Sequence, residues 1–119
     1  MPKTILVIED DLDISDAIET VLIFNKFTVV GINRADNILD LINEHNPDLI
    51  LANYILPGLT GGRICQLIKK NESTSHIPVV LMSAYHKMAM SVFNFQYDAY
   101  IHKPFNIDKL VRTIQKLIN

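Results

Sequence analysis

Asp48-Leu49-Ile50-Leu51-Ala52-Asn53, running into Tyr54-Ile55-Leu56-Pro57-Gly58, is the stretch whose reading decides the fold. Leu49 to Ala52 is apolar without alternation, which is the pattern of a strand covered on both faces. The tyrosine, proline and glycine that follow mark a loop. Two further runs have the same character. Ile5-Leu6-Val7-Ile8 leads into the acidic triplet Glu9-Asp10-Asp11, and Val79-Val80-Leu81-Met82, opened by Pro78, leads into Ser83. A shorter segment, Ala99 to His102, delivers Lys103-Pro104.

Helical spacing fills the gaps between these runs. Ile14, Ala17, Ile18, Val21 and Leu22 repeat on one face, as do Ile38, Leu41 and Ile42 in a helix that must stop before Pro47. Ile64, Cys65, Leu67 and Ile68 predict a third helix after Gly61-Gly62, and Met88 to Phe95 a fourth. Ile107, Leu110, Val111, Ile114, Leu117 and Ile118 predict a closing helix capped by Asn106. The remaining strand is read over Phe27 to Val30, with Gly31 closing it. Alternating β and α units joined by right-handed crossovers predict an α/β fold, a doubly wound parallel sheet of (βα)5 type. The natural strand order is the flavodoxin-like 2-1-3-4-5.

At 119 residues the chain fits a single domain, 1–119, able to bury a core. Its balance of 49% hydrophobic and 20% charged residues is that of a globular protein in water. A net charge of −2 gives no electrostatic reason to expect nucleic acid as a partner. The first apolar run is too short for a membrane span, so no membrane partner is expected. The one cysteine, Cys65, permits no internal disulfide and points to the cytoplasm. It falls on the apolar stripe of its helix, as a small core residue does.

Open α/β sheets place their sites at the carboxyl ends of strands. Here those ends carry Glu9-Asp10, Asn53, Ser83 and Lys103. A hard cation such as Mg²⁺ takes oxygen ligands, which Glu9 and Asp10 can supply. Ser83 could donate to a phosphoryl oxygen and Lys103 could neutralise another, a site built from positioning and charge. Blander readings stand beside these: a polar loop with Asp11 as helix cap, an unremarkable serine, an exposed lysine. The four histidines, His45, His76, His86 and His102, lack paired ligand spacing for zinc. Gly58, Gly61 and Gly62 suit tight turns and lack the Gly-Lys-Ser/Thr of a P-loop.

These strand ends resemble the receiver domain of bacterial two-component response regulators, across essentially the whole chain. In that family an aspartate at the position of Asn53 accepts the phosphoryl group. The resemblance implies a magnesium set of Glu9, Asp10, Asn53 and the Ile55 backbone carbonyl. It also implies supporting roles for Ser83 and Lys103, a cis peptide at Lys103-Pro104, and a switch formed by Ser83 and Tyr100. For Tyr100 a half-buried tyrosine of an edge strand is the equal alternative. The family's partner surface is formed by the fourth helix, the fifth strand and the closing helix. A sensor histidine kinase or phosphotransfer protein, a downstream effector, and a dimer through that face are its implied partners. Met88, Met90, Val92, Phe93 and Phe95 suit an adaptable contact patch or simply the core.

Asn53 changes the expectation. A carboxylate can attack phosphorus; an amide cannot do so usefully, because its nitrogen lone pair is delocalised. Losing one negative charge weakens or abolishes the Mg²⁺ site, since unit charges ~4 Å apart interact by roughly 4 kcal/mol at an effective dielectric of ~20. Asn53 is either native, in a receiver that works without phosphorylation, or an engineered replacement that freezes the inactive state. Other positions depart from the family as well: Gln96-Tyr97 replaces Gly-Ala before the fifth strand, and Thr60 stands where an acid is common. The leading expectation is a signalling module of a two-component phosphorelay, stand-alone or excised from a larger protein, acting by protein contact. The alternative is a phosphorylation-independent binding or scaffold module. An aspartyl-phosphate phosphatase is disfavoured by the missing nucleophile, and no hydroxyl-rich loop supports flavin binding, so no enzyme is expected.

Overall fold

The computed structural model describes residues 2–84 and 96–118. Five parallel strands, β1 Thr4–Ile8, β2 Thr28–Ile32, β3 Leu49–Asn53, β4 Val79–Ser83 and β5 Ala99–His102, form one sheet in the order β2-β1-β3-β4-β5. Among the described residues the helices are α1 Leu12–Phe24, α2 Ile38–His45, α3 Gly61–Lys70 and α4 Ile107–Ile118. The flavodoxin-like order expected from the sequence is the order observed. The helix expected over 88–95, with its Met and Phe residues, lies outside the described residues, as does His86.

Side chains alternate across a strand, so each central strand feeds two cores. Leu6, Ile8, Ile50, Ala52 and Leu81 pack with Ile38, Ile42, Ile64 and Ile68 of α2 and α3. Ile5, Val7, Leu49, Leu51, Val80 and Met82 pack with Ile18 and Leu22 of α1 and with Leu110 and Ile114 of α4. Ile5 to Ile8 and Leu49 to Ala52 are wholly buried, which is why these runs carry no polar alternation. Each Val, Leu or Ile among them contributes about 1.5–3 kcal/mol by leaving water.

The helix ends follow local chemistry. Asp11 caps α1, its carboxylate accepting from the N–H groups of Asp13 and Ile14 at 3.0 and 3.2 Å. Asn106 caps α4 through Asp108 and Lys109. α2 closes on Asn46, whose φ of 48° is left-handed and whose N–H reaches the Ile42 carbonyl, just before Pro47.

Four strands differ from the sequence reading at their boundaries, β1 by starting one residue earlier, at Thr4. β2 runs Thr28–Ile32, two residues past Val30, and Gly31 pairs with Val7 inside it. Phe27 belongs to the turn that ends α1, its N–H on the Leu22 carbonyl, while its ring enters the core. A Cβ on Gly31 would lie 2.8 Å from the Glu19 carboxylate, the tip of a side chain that would have to shift. β3 and β4 each extend one residue further, to Asn53 and Ser83. The ladder continues there through Tyr54 N–H to Met82 O (2.7 Å) and Lys103 N–H to Ser83 O (2.8 Å).

Candidate functional site

The parallel sheet brings the carboxyl ends of β1, β3, β4 and β5 to one edge, and a single carboxylate gathers three of them. Glu9 follows β1 directly, and its N–H still bonds to the Ile32 carbonyl at 3.0 Å. Its side chain has no solvent exposure. Oε1 accepts from Lys103 Nζ at 2.7 Å. Oε2 accepts from Asn53 Nδ2 at 2.8 Å and from the Asp10 N–H at 3.0 Å. Three donors on a buried carboxylate are what its burial demands.

Of the predicted residues, Glu9, Asn53 and Lys103 are therefore joined directly. Asp10 contributes its backbone N–H, and its side chain is exposed. Ser83 is buried beside them, its carbonyl receiving the Lys103 N–H. Tyr100 is half-buried on β5 and its hydroxyl donates to that same carbonyl at 3.4 Å. Burial pushes the Tyr100 phenol up from its ordinary value, opposed by a hydrogen bond with the Ser83 side chain. Its ring lies 6.0 Å from that of Tyr97. The Lys103-Pro104 peptide is cis, as the resemblance implies.

The loop from β3 to α3 carries Ile55 and is pinned at both ends. Leu56 is buried in the core, leaving Ile55 exposed. The Gly61 N–H returns to the Tyr54 carbonyl at 2.8 Å. A Cβ on Gly61 would collide with the Asn53 carbonyl oxygen and lie 2.8 Å from Tyr54 Cα, so only glycine lets α3 start this close to the site. Gly58 has φ of 78° and packs against Asp36 and Arg34 of the loop after β2. Thr60, an oddity in the sequence, caps α3 by accepting from the Arg63 N–H at 3.1 Å.

Sequence reasoning missed the pairing of Glu9 with Lys103, because ninety-four positions separate them. It also missed the Lys69 ammonium, which meets Asp98 Oδ2 and the Ile77 carbonyl, each at 2.8 Å. The pair Gly61-Gly62 was the one local signal of the tight approach to Asn53.

The response regulator receiver domain model matches residues 5–115. The chain belongs to the response regulator receiver family. The phosphate regulon transcriptional regulatory protein PhoB of Klebsiella pneumoniae is 35% identical over 99% of this chain and 52% of its own length. The chain thus spans about half of that relative. Two solved structures share the fold. The receiver domain of a signal transduction histidine kinase from Syntrophus aciditrophicus has a TM-score of 0.90 at 19% identity, covering 98% of this chain and 89% of that one. That of the sensor histidine kinase PA1611 from Pseudomonas aeruginosa PAO1 has a TM-score of 0.88 at 23% identity, covering 99% and 98%, and holds a magnesium ion in its active-site cleft.

Magnesium is accordingly the ion this receiver's donor set must be tested against. A hard cation needs an oxygen shell. Here both Glu9 oxygens face protein N–H donors, and Asn53 presents its NH₂ group to Glu9. Asp10 supplies the one exposed carboxylate of the cluster. Among the described residues no group of three or more His, Cys, Asp or Glu side chains could hold a metal. As arranged, the residues do not fit a divalent ion unless Lys103 or Asn53 gives way. Nor, among the described residues, is any helix long and apolar enough to cross a membrane.

Proposed function

We propose that this receiver domain, spanning 1–119, serves a cytoplasmic two-component phosphorelay through protein contacts and is not phosphorylated at Asn53. The hydrogen bond from Asn53 Nδ2 to Glu9 Oε2, at 2.8 Å, is the observation that supports this reading most directly. It turns the phosphoacceptor position into a donor that satisfies a buried acid. The side chain there has no anionic oxygen with which to attack phosphorus. Magnesium affinity is weakened for the same reason, so the expected ligands Glu9, Asp10, Asn53 and the Ile55 carbonyl form a poor set. With no nucleophile at the strand ends the chain is not an enzyme. A sensor histidine kinase or phosphotransfer protein on one side and an effector on the other are its partners.

Ser83 and Tyr100 would form the switch pair, a reading supported by the bond from the Tyr100 hydroxyl to the Ser83 carbonyl. Without a phosphoryl group to draw Ser83, their equilibrium would be set by the partner bound. A phosphorylation-independent scaffold is the second reading, favoured by the full set of donors already on Glu9.

Intact mass after incubation with Mg²⁺ and a small phosphodonor tests the proposal, on this chain and on Asn53→Asp. The chain itself should gain nothing. Gain by the aspartate variant alone identifies a receiver whose machinery lacks only its nucleophile. No gain by either variant favours the scaffold, and a phosphoryl adduct on the unaltered chain would overturn both readings.

A further inference from the structure

We infer that the Lys103 ammonium and the Asn53 amide together take the place of the divalent cation at Glu9, making this receiver's site internally neutralised and indifferent to Mg²⁺. The inference rests on the reading of Asn53 given above and goes further, by naming what does the ion's work.

A buried carboxylate needs a counter-charge and donors for its lone pairs, whether a metal or the protein supplies them. Glu9 has no solvent exposure, so water cannot meet the need. Lys103 Nζ, itself mostly buried at 17% exposure, provides the charge at 2.7 Å. Asn53 Nδ2 and the Asp10 N–H then cover the other oxygen. No buried side-chain nitrogen or oxygen among the described residues lacks a partner. The site therefore carries no unmet demand that an ion would relieve.

The geometry also explains why the lysine can do this. Lys103 follows β5 and Glu9 follows β1, with the ends of β3 and β4 between them. Three strand spacings put the two backbones roughly 14 Å apart, a distance two long side chains can span from opposite ends. The link joins the ends of β1 and β5, and Asn53 bonds to the same carboxylate. A carboxylate at position 53 would compete for the ammonium and draw it from Glu9. An amide competes with nothing and instead donates. Lys103 is thus a positioning residue of the unphosphorylated site, holding the loop after β5 against the end of β1. The usual partner of a lysine in a phosphoryl site, the phosphoryl oxygen, is not needed for it to be ordered.

Magnesium would have to break this link to reach Glu9. The ion dehydrates reluctantly and demands near-octahedral oxygens, so one exposed carboxylate at Asp10 does not compensate.

The test is thermal unfolding of the full chain, of Lys103→Gln and of Asn53→Asp, in millimolar MgCl₂ against NaCl of equal ionic strength. The unaltered chain should show no Mg²⁺-specific rise in Tm. Lys103→Gln should lose on the order of 10 °C, because it strands a buried charge. Mg²⁺ should restore part of that loss by entering the place the lysine vacates. A purely structural lysine would give the same loss without the rescue, and that result overturns the inference. A Mg²⁺-specific rise in the unaltered chain overturns it as well.

Should Lys103→Gln not fold, paramagnetic broadening by Mn²⁺ in the unaltered chain decides the matter alone. Untouched amide signals at Glu9, Asp10 and Asn53 support the inference, and their selective broadening refutes it. These readouts are separate from phosphoryl gain. Metal binding without phosphoryl gain defeats only the internal-cation inference and leaves the proposed function standing. A phosphoryl adduct at position 53 of the unaltered chain would defeat the proposed function itself.

Discussion

The Lys69 ammonium stands 2.8 Å from Asp98 Oδ2, fastening the last turn of α3 to the segment that leads into β5. The same nitrogen donates to the carbonyls of Ile77 and Ser75, at 2.8 and 3.2 Å, and the same oxygen accepts the Val79 N–H at 2.7 Å. One ion pair thereby fixes the entry to β4 and the entry to β5 together.

Replacing Lys69 by Ala should cost about 2 kcal/mol, seen as a lower urea midpoint. The lysine side chain is only 11% exposed, so two carbonyls and a carboxylate lose a charged donor in poorly hydrated surroundings. Asp98 is about one-third exposed, which keeps the cost below that of a fully buried pair. Asp98→Asn should cost less than Lys69→Ala, because an amide oxygen can still accept from Val79. Equal losses in the two variants would contradict this division.

Two glycines that look alike in the sequence should respond differently to alanine. At Gly61 the new Cβ meets backbone, the Asn53 carbonyl and Tyr54 Cα, which cannot swing aside. A loss of about 2–3 kcal/mol is expected. At Gly31 the obstructing atoms are the tip of the Glu19 side chain. It can move at the expense of its 2.9 Å bond from Ser15 Oγ, so a loss of about 1 kcal/mol or less is expected. Denaturant midpoints of the two variants give the comparison, and a Gly31 variant as damaged as the Gly61 one would refute it.

The contrast between these glycines also marks what the sequence could tell. Ile5 to Ile8 and Leu49 to Ala52 disclosed the sheet because two-sided burial leaves a signature in consecutive residues. Asp11, Asn106 and Pro47 disclosed helix ends because caps act within three positions. Gly31 looks like a strand terminus in the sequence, since the Glu19 side chain that packs on it lies on another element. Glu9 and Lys103 were each picked out by their place after a strand. That they bind each other is a tertiary fact with no local trace.

Cys65 should be unreactive until the chain opens. Its side chain is fully buried, and burial pushes the thiol up from an ordinary 9.0 to about 12, against the smaller opposing effect of Lys69. The thiolate is the nucleophile, so at pH 8 labelling by a disulfide reagent should run roughly a thousandfold slower than in the unfolded chain. Above pH 9 the unfolded chain loses this proton while the folded chain keeps it. That linkage lowers stability as pH rises towards 12. Rapid labelling of the native chain at pH 8 would mean that the core around α3 is not as closed as the packing indicates.

Asn53→Asp should destabilise the metal-free fold. The amide donates to Glu9 Oε2 at 2.8 Å, and an aspartate would replace that donor by a second anionic oxygen beside a buried carboxylate. The bare repulsion at ~3 Å is several kcal/mol at an effective dielectric of ~20. Lys103, 2.7 Å from the other Glu9 oxygen, would offset part of it by sharing its charge, which leaves a net loss of about 2 kcal/mol at neutral pH. Two interacting carboxylates hold a proton more readily than one, so the difference between the variants should shrink as pH falls towards 4. Mg²⁺ should act in the same direction, stabilising the aspartate variant because a third carboxylate completes an oxygen shell. Urea midpoints for both chains, in chelator and then in Mg²⁺, give the answer. Equal midpoints in chelator would mean that the Asn53–Glu9 bond contributes nothing, and that the amide at position 53 is tolerated without being used.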